Sequence, residues 1–315
     1  MQLQTVVPIS QLQKKISYDS HIVSLGSCFA VHMAQKLSDF QFRNSANPLG
    51  ILFHPKALER LFQFTVAGKE FSEADVFVHN GIWSCFDAHS DLNDLDRESI
   101  IDSLNLKVSK FRTELQHATH IILTLGTAWI YRHTVSGEPV ANCHKVSQKQ
   151  FVKELLPIHE IVRSLDTIRA LINVINPGIQ FLYTVSPVRH IKDGFTENQR
   201  SKAHLIAALH EHLEHTTGYY FPSYEVVMDE LRDYRFFAQD MLHPNIQAID
   251  YIWEKFAEHC INPAVFNTMK LVDEVQKGLS HRPFNPYSEA HEKFLDHLAR
   301  KIDLLLENHP FMNFR

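Results

Sequence analysis

A serine in Ser-Leu-Gly-Ser-Cys-Phe-Ala (Ser24–Ala30) and an Asp-x-x-His pair in Asp-Met-Leu-His-Pro-Asn (Asp240–Asn245) hold the residue types of nucleophilic acyl chemistry. A serine hydroxyl attacks when a neighbouring imidazole removes its proton, and the imidazole needs a carboxylate to fix its tautomer and stabilise the cation that forms. Ser27, His243 and Asp240 could supply these three parts. Their spacing of three places Asp240 and His243 on one side of a tight turn, and Pro244 suits the first position of a helix that follows. The same residues also fit plainer roles. Serine at a strand-to-helix turn is a good helix N-cap, and an Asp-x-x-His pair can cap a helix through local hydrogen bonds. Cys28 is a rival nucleophile, although a residue one step into a helix usually turns toward the core.

Such residues need a sheet edge on which to meet. His21–Leu25 reads as a short buried strand and Cys28–Leu37 as a helix, so Ser27 falls on the turn between them, beside the free N–H groups and positive dipole end of that helix. Further buried strands are expected at Asn47–Phe53, His120–Leu125, Ile179–Val185 and Tyr219–Val227, and helices at Pro55–Thr65, Asp96–Gln116, Lys153–Ile175 and Asn198–Thr217. This is the βαβ rhythm of an α/β fold with a central parallel five-stranded sheet. Phe77–Phe86 and Trp129–His144 break the rhythm and are expected as inserted hairpins. Loops at the carboxyl ends of strands are where open α/β sheets keep their sites. Amphipathic segments Phe266–Leu279 and Tyr287–Asn308 divide the chain into a catalytic stretch, 1–260, and a helical extension packed on it, 261–315.

A chain of 315 residues with 44% hydrophobic content can bury a large core. Its net charge of −5 gives no basic footprint, so no nucleic-acid partner is expected. No run approaches the roughly 20 apolar residues of a membrane helix, and Met1–Ser20 lacks a basic stretch followed by an apolar one, so the expected location is cytoplasmic with no membrane partner. Cys28, Cys85, Cys143 and Cys260 lack C-x-x-C spacing and are expected as reduced thiols. There are 21 histidines but no H-E-x-x-H motif, and His210, His212 and His215 read as a solvated helix face, so neither metal nor cofactor is expected.

Gly-Ser-Cys-Phe-Ala near the N-terminus with Asp-x-x-His near the end resembles the GSCFA family, a branch of the SGNH or GDSL-like hydrolases. Asn47-Pro-Leu-Gly-Ile, Leu123-Thr-Leu-Gly-Thr-Ala-Trp, Asn142-Cys-His-Lys-Val, Val185-Ser-Pro-Val-Arg and Asp233-Tyr-Arg-Phe resemble GSCFA segments in the same order, so the likeness spans about Val6 to Phe256. It implies a flavodoxin-like three-layer α/β/α sandwich and ester hydrolysis or acyl transfer. It makes Ser27 the nucleophile, His243 the general base and Asp240 its orienting carboxylate. Gly50 matches the glycine whose N–H joins that of Ser27 in the oxyanion hole, and it also suits a plain turn. The chain order Ser, Asp, His is that of α/β-hydrolases, but their Gly-x-Ser-x-Gly elbow is missing, with Phe29 where the second glycine would stand. Where SGNH hydrolases carry Gly-x-Asn, this chain reads Gly126-Thr127-Ala128, so the asparagine donor is absent and the Thr127 hydroxyl or another side chain must replace it. Asn142 and His144 are candidates for that gap or for substrate binding, and Arg189 for an anionic group on the substrate. His144 also suits a satisfied loop histidine, and Arg189 an ion pair. The expected partner is a small-molecule or carbohydrate ester. An O-acyltransferase with the same residues and a non-catalytic binding protein are the alternatives.

Overall fold

The computed structural model describes residues 5–314; Met1–Gln4 and Arg315, at the outer ends of the 1–260 and 261–315 stretches and in part of the Met1–Ser20 segment, lie outside the described residues. The chain runs through β1 (His21–Gly26), α1 (Cys28–Asp39), β2 (Arg43–Ala46), α2 (Pro55–Ala67), β3 (Phe77–His79), β4 (Ile82–Ser84), α3 (Arg97–His117) and β5 (His120–Leu125). It continues through β6 (Trp129–His133), β7 (Pro139–Val140), β8 (Phe151–Leu155), α4 (Ile158–Ile175), β9 (Gln180–Val185), α5 (Phe195–His215) and β10 (Tyr219–Tyr220). Short α6 (Ser223–Glu225) then leads by way of the Asp240–His243 loop to α7 (Ile246–Cys260), α8 (Phe266–Ser280) and α9 (Glu289–Asn308).

The central sheet has the order β2-β1-β5-β9-β10, and every neighbouring pair is parallel. Its inner strands β1, β5 and β9 are largely apolar on both faces because both faces are covered, while edge strand β2 is polar and partly exposed. Val23, Leu25, Ile121, Leu123, Phe181 and Tyr183 join a core with Leu58 and Leu61 of α2, Leu104 and Phe111 of α3, Leu165 of α4 and Leu205 of α5. The alternate residues Ile22, Ile122 and Leu182 join a second core with Phe29 and Met33 of α1, Ile252 and Phe256 of α7, Val272 of α8 and Leu298 of α9. After β1 the chain turns one way to β2 and later returns on the other side of β1 as β5. The crevice beyond the carboxyl ends of β1 and β5 is therefore the topological switch point, where open sheets of this kind bind ligands.

Four elements differ from sequence expectation. The weak strand expected at Asn47–Phe53 is a turn, and β2 ends just before it at Ala46. Pro48 has no N–H for a ladder, while Asn47 and Gly50 take positive φ of 43° and 75° and the Gly50 N–H donates to Asn47 O at 2.8 Å. The helix expected from Lys153 begins instead at Ile158, with Pro157 at its N-cap, because a residue before proline is disfavoured in helical conformation. Lys153, Glu154 and Leu155 belong to β8, which pairs antiparallel with β6. The second expected hairpin is thus a three-stranded sheet, β7-β6-β8. Pro222 stops β10 at Tyr220, and the chain coils into α6.

The Phe77–Phe86 hairpin forms as read, with Asn80 and Gly81 at φ 51° and 75°, the left-handed pair of a tight two-residue turn. Phe77 and Phe86 stack at 4.1 Å and pack with Val140, Val146 and Phe151, so the two insertions share a small core. Among the described residues no helix is long and apolar enough to cross a membrane. The four cysteines are free, and no cluster of His, Cys, Asp or Glu among the described residues could hold a metal ion.

Candidate active site

Ser27 stands at the carboxyl end of β1 as the N-cap residue of α1, in extended conformation, with its carbonyl accepting the Ala30 N–H at 2.8 Å. Gly26 makes this position possible. Its φ is 131°, and a Cβ there would lie 2.0 Å from Thr124 O on the neighbouring β5. The Ser27 side chain is fully buried, and its Oγ makes neither the helix-capping bond open to it nor any other hydrogen bond. A buried hydroxyl with no partner costs about 1–3 kcal/mol, so this is an expensive way to begin a helix.

Asp240 and His243 form the expected dyad. His243 Nδ1–H donates to Asp240 Oδ2 at 2.6 Å, and Asp240 Oδ1 accepts the amide N–H groups of Leu242 and His243 at 2.9 and 3.0 Å. Those two amides, His243's first, and then the imidazole hold the Asp240 carboxyl down to about 2. The turn is closed by Ala238 N–H donating to His243 O at 2.7 Å, and Met241 takes a left-handed φ of 61° within it. Leu242 O accepts the Arg189 N–H at 3.2 Å, which docks the loop on the segment leaving β9. The first turn of α1 faces the same loop. Burial pushes the Cys28 thiol up and the Asp240 charge adds to it, while His32, one turn on, is pulled down by burial and then by His243. Cys28 is therefore a protonated thiol at neutral pH, which disfavours it as the nucleophile. His243 is half-exposed, its charge reaches His32 in the first turns of α1, and it makes no hydrogen bond to Ser27 Oγ.

The implied oxyanion donors are engaged elsewhere in this structure. The Ser27 N–H donates to Thr124 O at 3.2 Å and the Gly50 N–H to Asn47 O. Gly50 has a reason of its own, since a Cβ there would meet His89 Cβ at 2.4 Å. The Thr127 hydroxyl pairs with Ser201 Oγ at 2.8 Å and accepts the Trp129 N–H at 3.1 Å. A cavity of about 310 Å³ opens beside this end of the sheet, lined by Phe53, Thr127, Trp129, Tyr131, Asn142 and His190 among others. Phe53 joins cavity and serine: its carbonyl accepts the Gly126 and Thr127 N–H groups at 2.7 and 3.2 Å, and Gly126 packs directly on the Ser27 Cβ.

The model of the GSCFA family matches residues 21–256, from the first residue of β1 to a point within α7. The chain belongs to the GSCFA family. Residues 272–315 match the C-terminal domain of GSCFA domain proteins, a stretch that takes in the latter part of α8 and all of α9, and both helices pack on the same core as α1 and α7. Comparison with curated proteins gave no match. The GSCFA motif itself is the Gly26–Ala30 turn, and the other segments that resemble the family scatter around it. Asn142 lines the cavity, its Oδ1 accepting the His144 N–H at 2.8 Å. His144 does not line it: the ring is buried between Phe77 and Phe86, and Nε2 donates to Cys85 O at 2.7 Å. Arg189 lies over the rings of Phe237 and Tyr234, outside the cavity and next to the Asp240–His243 loop.

Three polar residues at this edge had not been singled out from sequence. Lys202 of α5 is buried beneath the crevice and donates to Gly126 O and Ser186 O, at 2.7 and 2.6 Å, tying the ends of β5 and β9 together. Burial pulls its ammonium down to about 7. Asn47 accepts the Gly26 N–H on Oδ1 at 2.9 Å, which leaves its Nδ2 buried without a partner. His190, four residues past Ser186, lines the cavity with Nε2 also buried and unpartnered. Only Lys202 had a sequence signal, a lysine in the apolar stripe of a helix.

Proposed function

We propose that this GSCFA chain is an esterase-like serine hydrolase of the SGNH type, in a three-layer α/β/α sandwich, with Ser27 as nucleophile, His243 as general base and Asp240 as its orienting carboxylate. The carrying observation is the Ser27 Oγ: buried, uncapped and unpartnered at the switch point, beside a formed Asp240–His243 dyad. In the reaction Ser27 Oγ attacks the ester carbonyl carbon and its proton passes to His243 Nε2. The tetrahedral intermediate collapses as the alcohol leaves with that proton. Water, deprotonated by His243, then attacks the acyl-enzyme and releases the acid. Asp240, held ionised, keeps the His243 Nδ1 proton in place throughout. The aromatic walls Trp129 and Tyr131 with the amide of Asn142 suit a sugar-sized alcohol, which is apolar on its ring faces and polar at its edge.

Complete burial of Ser27 favours a second reading, acyl transfer to an alcohol with water kept out. The two are separated by whether an added sugar alcohol diverts the acyl group from water. The enzyme reading itself is tested by fluorophosphonate labelling with intact-mass readout on wild type, Ser27→Ala and Cys28→Ala, alongside hydrolysis of a short-chain nitrophenyl ester. Labelling and turnover should vanish only in Ser27→Ala. A wild type that neither labels nor turns over makes the protein a binding protein and ends the enzyme reading.

A further inference from the structure

We propose that His190 is a second catalytic imidazole, donating its Nε2–H to the substrate oxygen that gains negative charge when Ser27 attacks. The inference rests on the serine-hydrolase reading and names a residue that the motif does not contain.

The donor count at the crevice motivates it. The Ser27 amide, the Gly50 amide and the Thr127 hydroxyl are all bonded within the protein, and the asparagine of the Gly-x-Asn block is missing. A tetrahedral oxyanion needs donors already in place and free to point at it. His190 has one. It leaves the end of β9, two strands from Ser27 on the same edge of the sheet. Its backbone N–H is anchored on Asn198 Oδ1 at 2.9 Å, and its ring packs against Phe53 at 6.0 Å with the planes tilted by 30°. Phe53 also packs on Gly126, which abuts the Ser27 Cβ, so this phenylalanine links His190 to the Ser27 turn, and both Ser27 Oγ and His190 Nε2 are buried without a partner.

Electrostatics keeps the imidazole suited to the task. Burial, and then the positive charges of Lys202 from α5 and His243 from the catalytic loop, pull His190 down to about 4. A neutral ring with its proton on Nε2 donates without becoming a competing general acid, and the division of labour with His243 follows. His243 has a carboxylate on Nδ1 and moves protons; His190 has none and only donates.

Three variants test this on the full chain: His190→Gln keeps an N–H donor, while His190→Phe and His190→Met fill the space without one. The readouts are the rate of fluorophosphonate labelling at Ser27 and kcat for a nitrophenyl ester, with a melting curve for each variant. We expect the Phe and Met variants to fall about 10²–10³-fold in kcat and in labelling rate with little change in KM, and the Gln variant to stay within about tenfold of wild type. A folded Phe or Met variant that labels within threefold of wild type overturns the role of His190 and leaves the hydrolase reading standing. If one of the two does not fold, the other decides. A wild type that fails to label overturns both.

Discussion

Replacing Ser27 by alanine separates the two roles of this residue by the sign of a stability change. A serine serving as N-cap of α1 would lose its capping bond, and the protein would be destabilised by about 1 kcal/mol. No such bond exists here: Ser27 Oγ is fully buried and unpartnered, and the first turn of α1 is organised by Ser27 O and Ala30 N–H, which alanine retains. Removing the hydroxyl relieves a desolvation penalty of about 1–3 kcal/mol. The small void left behind returns a few tenths of a kcal/mol of that gain. Ser27→Ala is therefore expected to stabilise the fold by about 1 kcal/mol, or roughly 2 °C in melting temperature for a chain of this size, while abolishing turnover. The assay is urea unfolding followed by tryptophan fluorescence, with m-values compared so that the midpoint shift reports stability. A loss of about 0.5 kcal/mol or more, the low end of what a lost serine cap costs, would refute the reasoning, because the hydroxyl would then be capping the helix.

Lys202→Met should change the shape of the pH–stability curve. The folded-state value near 7 lies below the unfolded value near 10.5, so between them the unfolded chain holds a proton that the folded chain has released, and wild-type stability rises with pH by up to about 1.4 kcal/mol per unit. The variant lacks that rise; parallel unfolding curves for the two proteins at pH 7, 8 and 9 would contradict it. Asp240→Asn should leave folding intact at this exposed turn but lower kcat by about 10³–10⁴-fold through loss of the His243 tautomer, and a nitrophenyl-ester assay showing less than a tenfold loss would remove Asp240 from the mechanism. Because Asp240 stays ionised down to about 2, the wild-type rate should show no Asp240 titration between pH 4 and 7; the pH profile of Asp240→Asn, compared with wild type, reads this directly.

What could be read from the chain and what could not divide along a physical line. Local chemistry was legible. Asn80-Gly81 announces its hairpin, Gly26-Ser27 its strand-to-helix turn, and Asp240 with His243 its closed loop, because each is decided by φ preferences or hydrogen bonds within a few residues. β8 was not legible, since Lys153, Glu154 and Leu155 are good helix formers and become a strand only through pairing with Trp129–His133. The same limit applies at the site. A motif says which residues reach the sheet edge, and it brought Ser27, Gly50, Thr127 and Asn142 there, yet it cannot say where their hydrogen bonds go. His144 shows this from the other side: it sits in a motif segment, but its bond to Cys85 O turns it into the wedge that holds the inserted hairpin. Lys202 and His190 show the converse. No motif spacing marks either, only Lys202 stands out as a lysine in an apolar helix stripe, and their weight comes from burial beside carbonyls and cations supplied by distant strands and helices. At the carboxyl edge of the sheet the two kinds of residue meet: Ser27 Oγ from the motif, and Asn47 Nδ2 and His190 Nε2 from turns that other contacts position, are all buried without a partner.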